Sequence, residues 1–334
     1  MLTAVLFVLM MLVLVIPHEF GHFIVAKLCD VKVNEFSVGM GPLIFKKQKG
    51  ETQYSVRLLP LGGFCAMEGE DEESDNPRAF NNKSAWQKTA ILLAGVTMNV
   101  IIAILVLTIS YEITGVPTNT LSEVNKGYPA QIAGIEAGDK VIEIDGVATR
   151  SWTDVTEQIG KYQEGDKLEI VVKRDGAIKT YELTPQYDEE RESYLIGIVA
   201  GSTRNPLACV KYGAVSTWNL NLIMIEGIKS LFDNGIHAGD VSGPVGIVKI
   251  VDETKDYGFS SYLMLLALVS LNLALINILP FPALDGGRIL FVIIRAITGN
   301  AISDELEGKF HAAGLIILLM LFVLVTIGDI KSLF

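Results

Sequence analysis

Four long apolar runs, at about residues 2–28, 89–113, 262–284 and 310–328, organise the chain, and polar segments separate them. A helix of about 20 residues rises ~1.5 Å per residue and crosses a hydrocarbon core of ~30 Å, so each run is read as a membrane span. Between the second and third spans lies a long polar block. There Leu168, Ile170 and Val172, then Tyr181 and Leu183, alternate with polar residues and are bounded by turn residues, which predicts strands with one buried face. Residues 206–235 place Leu207, Val210, Trp218, Leu222 and Ile225 at helical spacing among polar positions, which predicts an amphipathic helix lying in a membrane interface. The pattern as a whole predicts an α-helical polytopic membrane protein with one inserted, strand-containing domain.

Composition sharpens this picture. Half of the 334 residues are hydrophobic (50%), and their concentration in four runs of about 20 residues or more, rather than the fraction alone, excludes an ordinary soluble enzyme. No Lys or Arg precedes Lys27 and no small-residue cleavage site follows the first apolar run, so that run is expected to be retained rather than removed as a signal peptide. The segment 29–88 carries Lys32, Lys46, Lys47, Lys49, Arg57, Arg78, Lys83 and Lys88, which predicts a cytoplasmic loop. On that reading both termini and residues 114–261 lie outside, and the loop near Thr298 to Gly308 lies inside. The net charge of −11 comes partly from the acidic run Glu68 to Asp75, expected to be solvated and mobile and without a catalytic role. Neither a basic nucleic-acid patch nor a phosphate-cradling glycine loop is present. Cys29, Cys65 and Cys209 share no oxidising compartment on this topology, so no structural disulfide is expected.

The first span contains His18-Glu19-Phe20-Gly21-His22. Histidines four apart on a helix can reach one metal ion, and the glutamate between them can take a proton from an attacking water. On insertion scales a charged residue at membrane depth costs roughly 2.5 to 3.5 kcal/mol, so such a cluster is poorly explained as packing. A hydrolytic zinc takes a third protein ligand. His237 falls in the external block and His311 at the start of the fourth span, which turns attention to the run Asn277-Ile278-Leu279-Pro280-Phe281-Pro282-Ala283-Leu284-Asp285-Gly286-Gly287 closing the third span. Asp285 is the candidate ligand, although Asp-Gly-Gly by itself also reads as a turn.

With both motifs in place the chain resembles, over nearly its whole length, the site-2 protease family of intramembrane zinc metalloproteases, in the bacterial branch that cleaves anti-sigma factors. That resemblance implies zinc held by His18, His22 and Asp285, with Glu19 as general base. It also implies a cytoplasmic, membrane-associated β-hairpin at 39–64, from Val38-Gly39-Met40-Gly41-Pro42 and Arg57 to Phe64. An exposed edge of such a hairpin, with Gly39, Gly41, Gly62 and Gly63, is expected to take substrate as an added strand, and Asn272 and Asn277 of the third span to offer it amide donors and acceptors. The polar block resembles one extracytoplasmic PDZ (α+β) domain at 117–200, through Tyr128-Pro129-Ala130, Ala137-Gly138-Asp139 and Ile144-Asp145-Gly146, with Tyr194, Ile196, Gly197 and Ile198 in the position of a peptide-carboxylate loop. A linker at 205–240 and the segment around Gly243-Pro244-Val245 are linked by resemblance to gating. One departure is Ala94-Gly95-Val96-Thr97-Met98-Asn99, where many relatives have Ala-Gly-Pro before the asparagine.

The function implied is hydrolysis of a peptide bond in or near the membrane helix of single-span proteins, anti-sigma factors trimmed by an earlier protease and remnant signal peptides among them, in a bacterial cytoplasmic membrane. Two rivals are a membrane zinc transporter, which would need no glutamate beside its first histidine, and an inactive PDZ scaffold, which would need no intact metal set.

Overall fold

The computed structural model describes residues 1–70, 72, 74–189, 192–235, 243–299 and 304–331. The chain divides into two compact units, Met1–Ser110 with Gly213–Phe334, and Tyr111–Tyr212. His237 lies outside the described residues.

In the first unit α1 (Leu2–Leu28) is followed by the strands β1 (Val33–Lys49) and β2 (Thr52–Met67), then α2 (Ala85–Thr114). The two strands are longer than a hairpin at 39–64, and their turn falls at Gly50-Glu51. Residues 35–38 are registered against both 53–56 and 63–66, while 45–49 fold back on 52–56, so two long bent strands build a sheet of four short segments. Glu51 in the turn is clamped by Arg78 and Lys27, whose hydrogen bonds pull its carboxyl down to about 2.

α1 shows why a span can carry polar chemistry. Met10, Leu14, His18, Gly21 and His22 are buried along one stripe, whereas Leu2, Val5, Leu9 and Val13 on another are exposed and apolar. Among the described residues four helices, Leu2–Leu28, Ala85–Thr114, Phe259–Ile278 and Leu306–Lys331, are long and apolar enough to cross a membrane. Ala26, Val31, Val33, Met67, Phe80 and Ile91 form a core that joins the end of α1, the roots of the strands and the start of α2.

The second unit runs β3 (Val116–Val124), α3 (Pro129–Ala133), β4 (Lys140–Ile144), β5 (Val147–Ala148), α4 (Trp152–Gly160), β6 (Leu168–Arg174), β7 (Ala177–Leu183), β8 (Gln186–Asp188), β9 (Ser193–Leu195) and β10 (Ile198–Thr203). Its main sheet has the order β10-β3-β4-β6-β7, with β5 paired to β4. The alternation at Leu168, Ile170 and Val172 points those side chains into a core shared with Leu121, Ile144 and Ile196. Asp139, fully buried, is held by Arg174 at 2.6 Å, and Ser151 with Asp154 forms a capping box at the start of α4.

The rest of the first unit comprises α5 (Pro206–Asn234), which begins in the second unit, α6 (Pro244–Thr254), α7 (Phe259–Ile278), α8 (Asp285–Thr298) and α9 (Asp304–Lys331). The third span therefore ends at Ile278, before the two prolines, and not at 284. Pro280 and Pro282 cannot donate in a helix, and Leu279 is extended. Asp285 opens a separate amphipathic helix, α8, whose Ile289 and Val292 pack on the core at the root of the strands. The acidic run is also less free than expected. Glu70 pairs with Arg288 of α8 at 2.6 Å, and Glu68 accepts from Lys32, Asn34 and Ser74, which holds its carboxyl at about 2.

Candidate metal centre

Three elements converge on one point. α1 brings His18 and His22, one turn apart on its buried stripe, and α8 brings Asp285 in its first turn, where the positive end of a helix favours a carboxylate. Asp285 arrives because the chain doubles back tightly: a Cβ on Gly286 would lie 2.2 Å from the Ile278 carbonyl oxygen, and one on Gly287 2.1 Å from that of Phe281. Only glycine fits at either place.

α2 forms the wall behind the histidines with Ile91, Gly95 and Asn99, spaced four apart on one face. A Cβ at Gly95 would sit 2.3 Å from His22 Nε2 and 2.7 Å from His18 Cε1, so any side chain there would push both rings away. His22 Nδ1–H donates to the Ile91 carbonyl at 2.8 Å. That bond leaves Nε2 of the neutral ring bare.

The donor atoms are spaced as a metal would require. His18 Nε2 and His22 Nε2 are 3.2 Å apart, and Asp285 Oδ2 is 3.4 Å from the first and 3.5 Å from the second. Tetrahedral coordination at bond lengths of ~2.0–2.1 Å sets ligand atoms ~3.3 Å apart. Asp285 Oδ2 is buried and has no hydrogen-bond partner, an expensive state for a carboxylate oxygen unless a cation accounts for it. Two imidazoles and a carboxylate fit zinc by donor type as well.

Beside the cluster is a cavity of about 320 Å³ lined by Glu19, His18, Asp285, Gly62, Gly63 and Asn277, together with Asn99 and apolar residues of α1 and α7. Glu19 is half-buried, faces the same space as the donor atoms, and takes a hydrogen bond from the Cys65 backbone N–H. Of the six residues expected to receive substrate, Gly62, Gly63 and Asn277 line this cavity. Asn272 is exposed on α7, and Gly39 and Gly41 lie in β1 at φ 85° and 82°, off the cavity wall. His311 is no part of the donor cluster; its Nδ1 accepts from the Ala283 backbone N–H at 2.9 Å.

A model of peptidase family M50 matches residues 6–321. The chain belongs to that family. A relative in Clostridium acetobutylicum, named as a candidate zinc metalloprotease, is 37% identical over 95% of this chain and 94% of its own length. The zinc metalloprotease RasP of Oceanobacillus iheyensis is 30% identical over the whole of both chains, and the regulator of sigma-W protease RasP of Bacillus subtilis is 29% identical over 99% of each. This M50 chain is a zinc metalloprotease, and the His18, His22 and Asp285 cluster is the group of described residues suited to hold the metal.

Two groups that touch the histidines carry no role in the sequence reading, although Asn99 stands in the run compared above. Asn99 had a signal, since an amide inside an apolar run has to be satisfied by something. The Ile91 carbonyl had none, because every residue carries one.

The other unit holds the remaining candidates. Ile196 is 2% exposed and belongs to the core, whereas Ile198 begins β10 at one end of the sheet. The Ile196 and Gly197 carbonyls accept from Ala130 and Asn125 N–H, and the Tyr194 ring packs 4.8 Å from that of Tyr162 and 5.2 Å from that of Tyr187.

Proposed function

We propose that this chain is an intramembrane protease that cuts the membrane helix of single-span proteins, with zinc on His18, His22 and Asp285 and Glu19 as general base. The observation that carries this reading is the cavity in which donor cluster, glutamate and strand glycines meet, between helices long enough to span a bilayer. Zinc, when bound, supplies Lewis acidity, which favours attack by water near neutral pH. Glu19 takes the proton of the attacking water and returns it to the leaving amine, so atoms and charge balance across hydrolysis.

A substrate helix brings a second difficulty, because its peptide bonds are already hydrogen-bonded and must be released before attack. The β2 segment from Gly62 onward offers backbone groups beside the cavity, which supports capture of an unwound segment as an added strand. Asn277 on the opposite wall offers an amide donor and acceptor.

The Lys and Arg residues of 29–88, against none before Lys27, support a cytoplasmic position for the strands and an external one for the Tyr111–Tyr212 unit, in a bacterial cytoplasmic membrane. That unit reads as a PDZ domain. The inward-turned Ile196 and Gly197 carbonyls support residues 194–198 as a carboxylate-binding loop beside the free side of β10. The name of the Bacillus subtilis relative, regulator of sigma-W protease, supports a role in sigma-factor control, and trimmed anti-sigma factors are the substrate class proposed for this chain. The test is cleavage of a single-span substrate by the reconstituted protein, with product masses locating the cut. A cut within or beside the apolar segment is expected, and cutting only in flanking soluble sequence contradicts the reading.

A further inference from the structure

His18 and His22 are equivalent by motif but have different partners behind them. His22 Nδ1 meets a carbonyl, which can only accept, so the proton is on Nδ1 and Nε2 is bare. His18 Nδ1 instead meets the Asn99 amide, with Nδ2 at 3.3 Å, and Asn99 Oδ1 is buried without a partner. In that orientation the amide N–H donates, Nδ1 must be bare, and the ring proton falls on Nε2. Nε2 would then point a proton at His22 Nε2, 3.2 Å away, where a metal ligand needs a lone pair.

A half-turn of the Asn99 amide about its last bond gives the oxygen a partner and removes the misplaced ring proton, while Nδ2 takes the place Oδ1 held. Oδ1 then accepts from His18 Nδ1–H, the orphaned oxygen is satisfied, and His18 Nε2 is bare toward His22 and Asp285. The backbone holds the residue in place for this: Asn99 is 1% exposed, and its carbonyl accepts from Ser270 Oγ of α7 at 2.8 Å, so α7 pins α2 at that level. Gly95, midway between Ile91 and Asn99, lets the rings approach closely enough for both contacts.

We propose that Asn99 is a positioning residue for the metal, whose Oδ1 accepts from His18 Nδ1–H and fixes the tautomer in which Nε2 is a ligand. The Ile91 carbonyl does the same for His22, so one face of α2 sets both histidines. This rests on the assignment of His18 as a ligand. The side-chain oxygen is what counts, not the amide as such, so aspartate can replace asparagine and an apolar isostere cannot.

The test uses the full chain in detergent, with zinc affinity measured by chelator competition for wild type, Asn99→Asp, Asn99→Leu and His18→Ala. Loss of an outer hydrogen-bond partner typically weakens metal binding by roughly 10- to 100-fold. Asn99→Leu is expected to fall in that range while Asn99→Asp stays near wild type, a rescue that a purely packing role would not give. If Asn99→Leu binds zinc as wild type does, or if both Asn99 variants lose it equally, the proposal is overturned. Loss of zinc in His18→Ala alongside an unaffected Asn99→Leu sinks the Asn99 role alone; wild-type zinc affinity in His18→Ala sinks the ligand assignment and the proposal with it. Nitrogen NMR of histidine-labelled, zinc-loaded wild type needs no variant to fold: a protonated His18 Nδ1 is expected, and a protonated Nε2 overturns the proposal.

Discussion

His311 Nδ1 accepts the backbone N–H of Ala283 at 2.9 Å, so a residue of the last helix holds the loop that delivers Asp285. Ala283 sits at φ 74°, a region an alanine enters only when its surroundings impose it. His311→Leu should leave that N–H unpaired, at a cost of about 1–3 kcal/mol. His311→Asn, whose side-chain oxygen can stand near the place of Nδ1, should recover most of the loss. Zinc affinity by chelator competition checks this, and equal affinity in wild type and His311→Leu would show that the loop does not depend on the contact.

Removing each donor separates ligands from neighbours. His18→Ala, His22→Ala and Asp285→Ala should each lose zinc, measured as metal per protein after gel filtration, because three protein ligands define such a site. Full occupancy in Asp285→Ala would remove Asp285 from the set.

Acid should loosen the Tyr111–Tyr212 unit. Burial pushes the Asp139 carboxyl up, but hydrogen bonds from Arg174 and the Glu136 N–H outweigh it and hold the group below its ordinary value. A carboxyl depressed in the folded state contributes stability above its unfolded value of ~3.9 and loses it as pH falls through the folded value. Amide hydrogen exchange at Ile170 and Val172, buried in the core on the strand that ends at Arg174, reads this unit directly. Corrected for the intrinsic pH dependence of exchange, their protection should fall below about pH 4 in wild type. The substitution Asp139→Asn removes the buried counter-charge and leaves Arg174 with the Glu136 carboxylate and the Gly134 carbonyl, so that variant should show reduced protection already at neutral pH. Identical protection of Ile170 and Val172 in the two proteins at neutral pH would mean the pair contributes nothing.

The unit between the two motif-bearing spans is expected to filter substrates by size. Replacing residues 119–200 with a short linker should permit cleavage of an untrimmed single-span substrate, while Ile198→Tyr should change turnover less. A deletion protein that binds zinc yet still cuts only trimmed substrate would move selection into the membrane-embedded part.

That His18, His22 and Asp285 come together was legible because HExxH is local and Asp285 is flanked by glycines and prolines that mark it. The helix that Asp285 opens was not. Its apolar residues continue the third span in sequence, and only the refusal of Pro280 and Pro282 to carry a helix separates α7 from α8. The pairing of Glu70 with Arg288 joins residues 218 apart, so an acidic run that looks solvated by composition is in part a clamp on α8. The strands were seen but their extent was not, since residues 35–38 use both edges and periodicity reports neither partner.

On the proposed mechanism Glu19 moves the proton while His18, His22 and Asp285 hold the metal. The direct measurement is zinc content and single-span substrate turnover, side by side, for wild type and Glu19→Gln in the same lipid preparation. Equal zinc in both proteins, with turnover reduced by ~10²–10⁴-fold in Glu19→Gln, is the predicted result. Glu19→Gln protein that keeps its zinc and more than a few per cent of wild-type turnover would contradict it.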